Sequence, residues 1–284
     1  MGEIEKGTLY VIGTPIGNLG DITLRAIETF KKVDIVLAED TRQTLKLLNH
    51  LNIEKHLISY HRHNEDEKIE KVVSFLDSGK SLGLVSDAGM PVISDPGQNL
   101  VKYLVENGYR VEVIPGVTAL TTAIVGSGLD STRFAFEGFL SVNKKQRKAR
   151  LEELKLEQRT LIFYEAPHKI LNTLKDMLVY FGNRKICIAR ELTKIHEEYI
   201  YSTIEEEIKN IEEIGIRGEI VLVIEGKDKL SLQNEQREQL NNISTKQLVQ
   251  KEIEKGVSKK EAIKIIAKLK GINKNDVYKE CLDI

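Results

Sequence analysis

From Leu9 onward, short apolar runs alternate with amphipathic stretches, and this alternation constrains the fold more than any other feature. LYVIG (9–13), VDIVLAED (33–40), LISY (57–60), LGLVSD (82–87) and RVEVIPG (110–116) read as strands, with helical patterning at 22–32, 41–49, 65–78 and 96–107. Repeated strand–helix–strand order predicts a mostly parallel sheet covered by helices on both faces. After the helical run VTALTTAIVGSGL come RFAFEGF, RTLIFYE, KICIARE, EYIYST and GEIVLVIEG, with helices near 147–156, 168–181 and 204–214. These later strands follow one another more closely, which predicts a mixed or antiparallel sheet. The expectation is an α/β chain with domains at 1–117 and 118–227, a polar linker at 228–243 and a helical module at 244–284.

Charge bears on partners through its distribution. The 42 basic and 43 acidic residues nearly cancel, yet Ser244–Ile284 holds ten lysines against six acids, about +4. Ser244 with Gln247 and Ser258 with Glu261 read as capping boxes, Asn273 as a further cap, and Gly256 and Gly271 as helix stops. Three short helices with tight turns result, a helix-turn-helix-like module that is either a solvated hairpin or a contact for nucleic-acid phosphates. Cys187 and Cys281 share no metal-type spacing, and no apolar run reaches the ~18 residues of a membrane span. A cytoplasmic protein with no membrane contact is expected.

In an open parallel sheet the ligand crevice lies beyond the carboxyl ends of the strands. There the chain carries GTPIGNLGD, AEDTR, SDAGMPVISDPG and IPGVTA. Gly13, Gly17 and Gly20 match neither a dinucleotide fingerprint nor a P-loop. Pro15 removes a backbone donor, and Asp21 repels an anion. Glu39, Asp40, Asp87 and Asp95 sit at strand ends with Arg42 the only nearby cation, although Asp21 and Asp95 also read as helix N-caps. Carboxylates and glycine amides suit a ligand with ribose hydroxyls and a positive charge, such as S-adenosylmethionine, better than NAD or ATP.

GTPIGNLGDIT, AEDTR, SYHRHNE, SDAGMPVISDPG, IPGVTA, FEGFL, FYEAPHK, RELTKIHEE and GEIVLVIEG stand in order from Leu9 to about Gly226. Together they resemble the tetrapyrrole-methylase-like (class III) methyltransferases, specifically the branch acting on small-subunit ribosomal RNA, and the C-terminal module is similar too. The resemblance implies two α/β domains with the cofactor, S-adenosyl-L-methionine, between them, and a homodimer. It implies methylation of the ribose 2′-oxygen of a cytidine in the decoding region of 16S rRNA, within the small ribosomal subunit. Its cofactor positions map to Asp87, Ala88, Gly89 and Ile93, to Pro115, Gly116, Val117, Thr118 and Ala119, and to Phe139, Tyr164 and Ala166. Thr14, Pro15, Gly17 and Asn18 match its substrate-facing loop.

A ribose hydroxyl is a weak nucleophile, so a group able to take its proton belongs nearby. By position the candidates are Glu39, Asp40, Glu165, His168, Glu191 and Lys194, with Asp40 the first choice and Glu165 the second. Lys144, Lys145, Arg147, Lys148 and Arg150 form a basic segment able to track phosphates. Arg42 and Arg190 serve either RNA or ion pairs at the domain junction, as does Glu191 for the latter. His61 and His63 give an H-x-H pair with no evident third ligand, so no metal is expected. The competing activities are tetrapyrrole or diphthine-type methylation on the same fold, and a non-catalytic RNA-binding assembly factor. The absence of Trp and the 6% aromatic content disfavour a large apolar substrate cavity.

Overall fold

The computed structural model describes residues 6–62, 65–228, 243–282 and 284. Strands β1 (Thr8–Ile12), β2 (Ile35–Ala38), β3 (His56–Ser59), β4 (Leu82–Val85) and β5 (Arg110–Ile114) form an all-parallel sheet in the order β3-β2-β4-β1-β5. They are joined by α1 (Leu24–Lys32), α2 (Thr41–His50), α3 (Glu65–Asp77) and α4 (Gln98–Glu106). Every residue of β1, β2 and β4 is buried, as central parallel strands between two helical layers require. Phe30 and Leu48 fill one layer, and Tyr60, Leu76, Leu100 and Leu104 fill the other.

Helix α5 (Ala119–Gly126) carries the chain onto a second sheet, its Leu120, Ala123 and Ile124 packing with Ile162, Cys187 and Val221. The Tyr199 and Tyr201 hydroxyls donate to the carbonyls of Thr122 and Gly126 at 3.2 and 2.8 Å, fixing α5 in place. This sheet contains β6 (Phe134–Phe139), β7 (Thr160–Glu165), β8 (Lys185–Arg190), β9 (Glu198–Thr203) and β10 (Ile220–Ile224), ordered β6-β7-β10-β8-β9. Only β6 and β7 pair in parallel, joined through α6 (Lys144–Leu154), so the sheet is mixed. Helices α7 (Ile170–Phe181) and α8 (Ile204–Ile214) cover it with Leu174, Met177 and Ile208. A reciprocal capping box, Thr203 with Glu206, starts α8.

Both sheets belong to one compact unit, and residues 155–158 with the described residues from Gly226 onward form another. In the latter, α9 (Thr245–Glu254), α10 (Lys259–Lys270) and α11 (Lys274–Glu280) bury Val249, Ile263, Ile266, Val277 and Cys281. Ser258 and Asn273 cap α10 and α11 through the N–H groups of Glu261 and Asn275. Gly271 closes α10 in the left-handed region, at φ 66°. The box expected at Ser244 does not form, since its side chain makes no capping bond. The start of α9 is held instead by Lys270, whose Nζ reaches the Ile243 carbonyl and Thr245 Oγ1. Among the described residues, no helix is long and apolar enough to cross a membrane.

Candidate functional site

The loops at the carboxyl ends of the parallel sheet meet the second sheet around a cavity of about 380 Å³. Ala88, Gly89, Ile93, Ser94 and Asp95 come from the loop after β4, and Thr118 and Ala119 from the start of α5. Phe139, Tyr164, Glu165 and Ala166 come from the ends of β6 and β7, with Leu192, Gly218 and Glu219 opposite. Phe139 and Tyr164 meet edge to face with ring centroids 5.5 Å apart, and Phe139 remains 57% exposed. An open aromatic ring beside backbone amides and apolar walls suits a purine. The lining carries Asp95, Glu165 and Glu219 and no Lys, Arg or His. Lys169 pairs with Glu165 and lies over the Phe139 ring at 5.7 Å, and Lys194 pairs with Glu219 at 3.1 Å, so Asp95 is the lining carboxylate with no ion pair among the described residues.

Close backbone approach shapes this site. A Cβ on Gly13 would fall 2.7 Å from the Gly116 backbone, so the loops after β1 and β5 touch. Thr14 and Gly89 exchange backbone hydrogen bonds of 2.8 and 3.1 Å, which fastens the loop after β1 to the loop after β4. The bulge in β6 places Gly138, at φ 63°, where a Cβ would sit 3.3 Å from Ser94 Oγ. Backbone strain is concentrated in the same walls. Val92 and Ser94 have φ of 76° and 68°, and Glu191 and Thr193 have φ of 51° and 66°. A β-branched residue in this region costs about 1–3 kcal/mol and persists where surrounding structure imposes it.

The acids divide into those held by ion pairs and caps and those whose charge burial opposes. Asp40 caps α2 through the Arg42 N–H and is chelated by the Arg42 guanidinium at 3.0 and 2.7 Å. Arg42 thereby holds its carboxyl down at about 2, and Asp40 lines neither cavity described here, so it fits a proton acceptor poorly. Glu165 does line the cavity, but its oxygens are taken by the Ala166 N–H, Thr173 Oγ1 and Lys169. It fastens the turn between β7 and α7. Burial works against the charge on Lys194, yet hydrogen bonds to Glu191 and Glu219 raise its pKa above the ordinary lysine value. Lys194 is therefore a fixed cation, packed beside Gly17, and does not serve as a base. Arg190 pairs with Glu198 at 2.7 Å, and Glu191 with Lys194 at 3.0 Å, the structural alternative for these residues.

Asp95 was expected as a helix cap and is not one. Gly97 occupies the N-cap of α4 at φ 119°, and the strained turn before it directs Asp95 to the cavity. Burial pushes the Asp95 carboxyl above its usual range, against a hydrogen bond from Ser86 and the charge of Arg62, and the charge of Asp87 adds to the rise. Glu39 is likewise raised, by burial and then by Asp95 and Asp87. Asp21 does not cap either, because it ends a 3-10 turn that Asn18 caps, and its Oδ2 is buried without a partner.

A second cavity of about 240 Å³ adjoins the same loops. Thr14, Pro15 and Gly17 line it, as does Asp87, which stands here and not in the first cavity. Asn18 lines neither, being occupied by the Gly20 N–H at 2.9 Å. Pro115, Gly116 and Val117 also fall outside the first cavity's lining. Gly116 serves the approach to Gly13, and Val117 packs into the core beneath α5.

The basic segment forms α6, capped by Asn143, and is not an open loop. Arg147 is clamped to Asp176 at 2.9 and 2.7 Å, each side chain only 13% exposed, and Arg150 is held by Glu137 and Glu153. Lys148 lies 3.8 Å from Asp176, while Lys144 and Lys145 make no ion pair among the described residues. Arg147→Ala is expected to destabilise the protein by about 1–3 kcal/mol, by stranding Asp176. Chemical denaturation should show that loss, with RNA affinity per folded molecule unchanged. His63 lies outside the described residues, and no group of three or more potential metal ligands occurs among them.

Comparison with known proteins matches residues 8–208 to the family of Tetrapyrrole (Corrin/Porphyrin) Methylases. The Ribosomal RNA small subunit methyltransferase I of Halalkalibacterium halodurans is 47% identical over 275 residues, covering 96% of this chain and 94% of that protein. The protein of the same name from Bacillus subtilis is 46% identical, covering 98% and 94%. Among solved structures, uroporphyrin-III C-methyltransferase from Thermus thermophilus complexed with S-adenosylhomocysteine superposes with a TM-score of 0.57 at 18% identity, covering 77% of this chain and 97% of that one. The cobalamin biosynthetic enzyme cobalt precorrin-4 methyltransferase gives 0.58 at 16%, covering 77% and 94%. At such identities these structures speak for the fold alone.

Proposed function

Because the chain belongs to the tetrapyrrole methylase family, among the ribosomal RNA small subunit methyltransferase I proteins, we propose that it methylates small-subunit ribosomal RNA with S-adenosylmethionine. Within that activity, the reading is transfer to the ribose 2′-oxygen of a cytidine in the decoding region of 16S rRNA, by a cytoplasmic homodimer. The observation that carries it is the first cavity: an exposed aromatic ring, backbone amides, and the Asp95 carboxylate, which has no ion pair among the described residues. That set fits a cationic adenosine donor.

When bound, S-adenosylmethionine supplies an electrophilic methyl group. Phe139, Tyr164, Ala88, Gly89, Thr118 and Ala119 would hold it, their walls limiting the access of water. The chain's own task is then alignment and removal of one proton. Asp95 takes that proton at a carboxylate oxygen, since it borders the cavity and, unlike Asp40 and Glu165, is not locked by an arginine or a helix cap. Burial and then the charge of Asp87 raise its affinity for the proton, against the Ser86 hydrogen bond and the charge of Arg62.

Phosphates are held by Lys144 and Lys145 at the start of α6, and the lysine-rich helices of the C-terminal unit offer further contacts. Lys144→Glu with Lys145→Glu should weaken RNA binding and reduce the slope of log K against log salt by roughly one to two units. A salt titration checks this, with S-adenosylmethionine affinity unchanged. The function itself is tested with labelled S-adenosylmethionine and small ribosomal subunits lacking the modification. Label in alkali-stable dinucleotides supports a ribose target. Tight ATP or NADH binding, with neither the methyl donor nor its spent form bound, overturns the reading.

A further inference from the structure

The two cavities are lined from opposite sides by the same two loops. Ile16 faces the first, and its neighbours Pro15 and Gly17 the second. Ala88 faces the first, and Asp87 the second. The two cavities therefore share these loops as a common wall. Pro15, Leu19 and Leu47 give the second cavity apolar surface, and Gln43, Lys46 and Asp87 give it polarity. Its volume of about 240 Å³ admits a single flat heterocycle.

The polar groups form a pattern. Lys46 donates to Gln43 Oε1 at 3.3 Å, which leaves the Gln43 amide nitrogen and the remaining Lys46 protons as donors. Asp87 Oδ1 accepts the Asp40 N–H at 3.0 Å, and Oδ2 has no hydrogen-bond partner among the described residues. Two donors and one anionic acceptor complement cytosine, whose pairing edge offers two acceptors, O2 and N3, and one donor, the N4 amino group. Uracil presents O4 to the carboxylate and an N3–H to a donor, so it is repelled at two positions.

We propose that the second cavity is the nucleobase pocket, receiving the unstacked cytosine of the target nucleotide and reading it through Gln43, Lys46 and Asp87. This rests on the ribosomal RNA reading above. Enzymes that act on one nucleotide take its base out of the stack and recognise it by its pairing edge. Single-stranded loops of folded RNA make that inexpensive.

The test compares small subunits carrying cytidine or uridine at the position that wild-type enzyme labels. Wild type should favour cytidine. Asp87→Asn, whose amide can donate to O4, should shrink the cytidine-to-uridine ratio of kcat/KM by about 10- to 100-fold. Gln43→Leu and Lys46→Met should each raise KM for the cytidine substrate about tenfold. All three positions are exposed and outside the first cavity, so unchanged affinity for S-adenosylmethionine certifies folding. An Asp87→Asn variant that keeps the wild-type ratio, or Gln43→Leu and Lys46→Met variants that keep the wild-type KM, overturn the pocket, as does label on a purine, while the ribosomal RNA reading stands. No label in RNA from wild type overturns the reading and the pocket with it.

Discussion

Asp95→Asn is expected to lower kcat by about 100- to 10,000-fold while leaving the dissociation constant for S-adenosylmethionine within a few-fold of wild type. The substitution keeps the shape of the side chain and removes its capacity to take a proton. Rapid-quench assays on small subunits, paired with calorimetry, separate the two quantities. The competing role for Asp95 is as counter-ion to the sulfonium. That role predicts the opposite split: weaker binding of the methyl donor, unchanged binding of uncharged S-adenosylhomocysteine, and preserved kcat. Such a result would remove Asp95 as the proton acceptor.

The pH profile supplies an independent check. The groups that bear on Asp95 are Glu39, Asp87, Arg62 and Ser86, with Tyr164 across the cavity. Burial first, then the charge of Asp87, lifts its carboxyl above the ordinary aspartate value of 3.8, against the Ser86 hydrogen bond and the charge of Arg62. In wild type, kcat should fall as pH drops through that raised pKa, and the acid limb should vanish in Asp95→Asn. Stability moves the other way. The folded state favours the protonated acid, so this contribution is fully present below the unfolded pKa and is lost as pH rises through the folded one. Asp95→Asn should therefore raise the melting temperature near neutrality and leave it unchanged in mild acid.

How much of this was legible in the sequence depends on the range of the interaction concerned. The strands of both sheets were readable because each is an apolar run bounded by turn residues, and central strands such as IVLA and LGLV alternate with nothing. The first cavity's walls were readable because they lie at strand ends, where an α/β sheet binds ligands. The misreadings are contacts or turns that no local pattern encodes. SDPG ahead of a helical run looks like a cap, but Gly97 at φ 119° adds a turn and releases Asp95. Arg147 looks like a free cation until Asp176, 29 positions away, closes on it. Asp40 looks reactive at a strand end, yet its partner Arg42 is two residues along and spends its charge on it. Asp87 lines the second cavity and its neighbour Ala88 the first, a split that the loop's sequence does not show, since adjacent residues of a tight loop face different cavities.

The same close packing makes Gly13→Ala a damaging conservative substitution next to the first cavity. The backbone at Gly13 is not left-handed, so alanine is opposed by space alone. Its methyl would sit 2.6 Å from Met90 Sδ, which can swing away, and 2.7 Å from the Cα and N of Gly116, which cannot. Relief requires the loops after β1 and β5 to separate, at roughly 1–3 kcal/mol. The cost reaches the ligand, because Met90 lines the first cavity and Gly116 lies two residues before Thr118, which also lines it. Gly13→Ala should lower the melting temperature by several degrees and weaken S-adenosylmethionine at least tenfold, shrinking the stabilisation that saturating ligand confers. Gly20→Ala is the matched control, its methyl meeting only the movable Asn18 side chain at 3.1 Å. If Gly13→Ala melts and binds like that control, the two loops have room to spare, and their contact does not set the width of the first cavity.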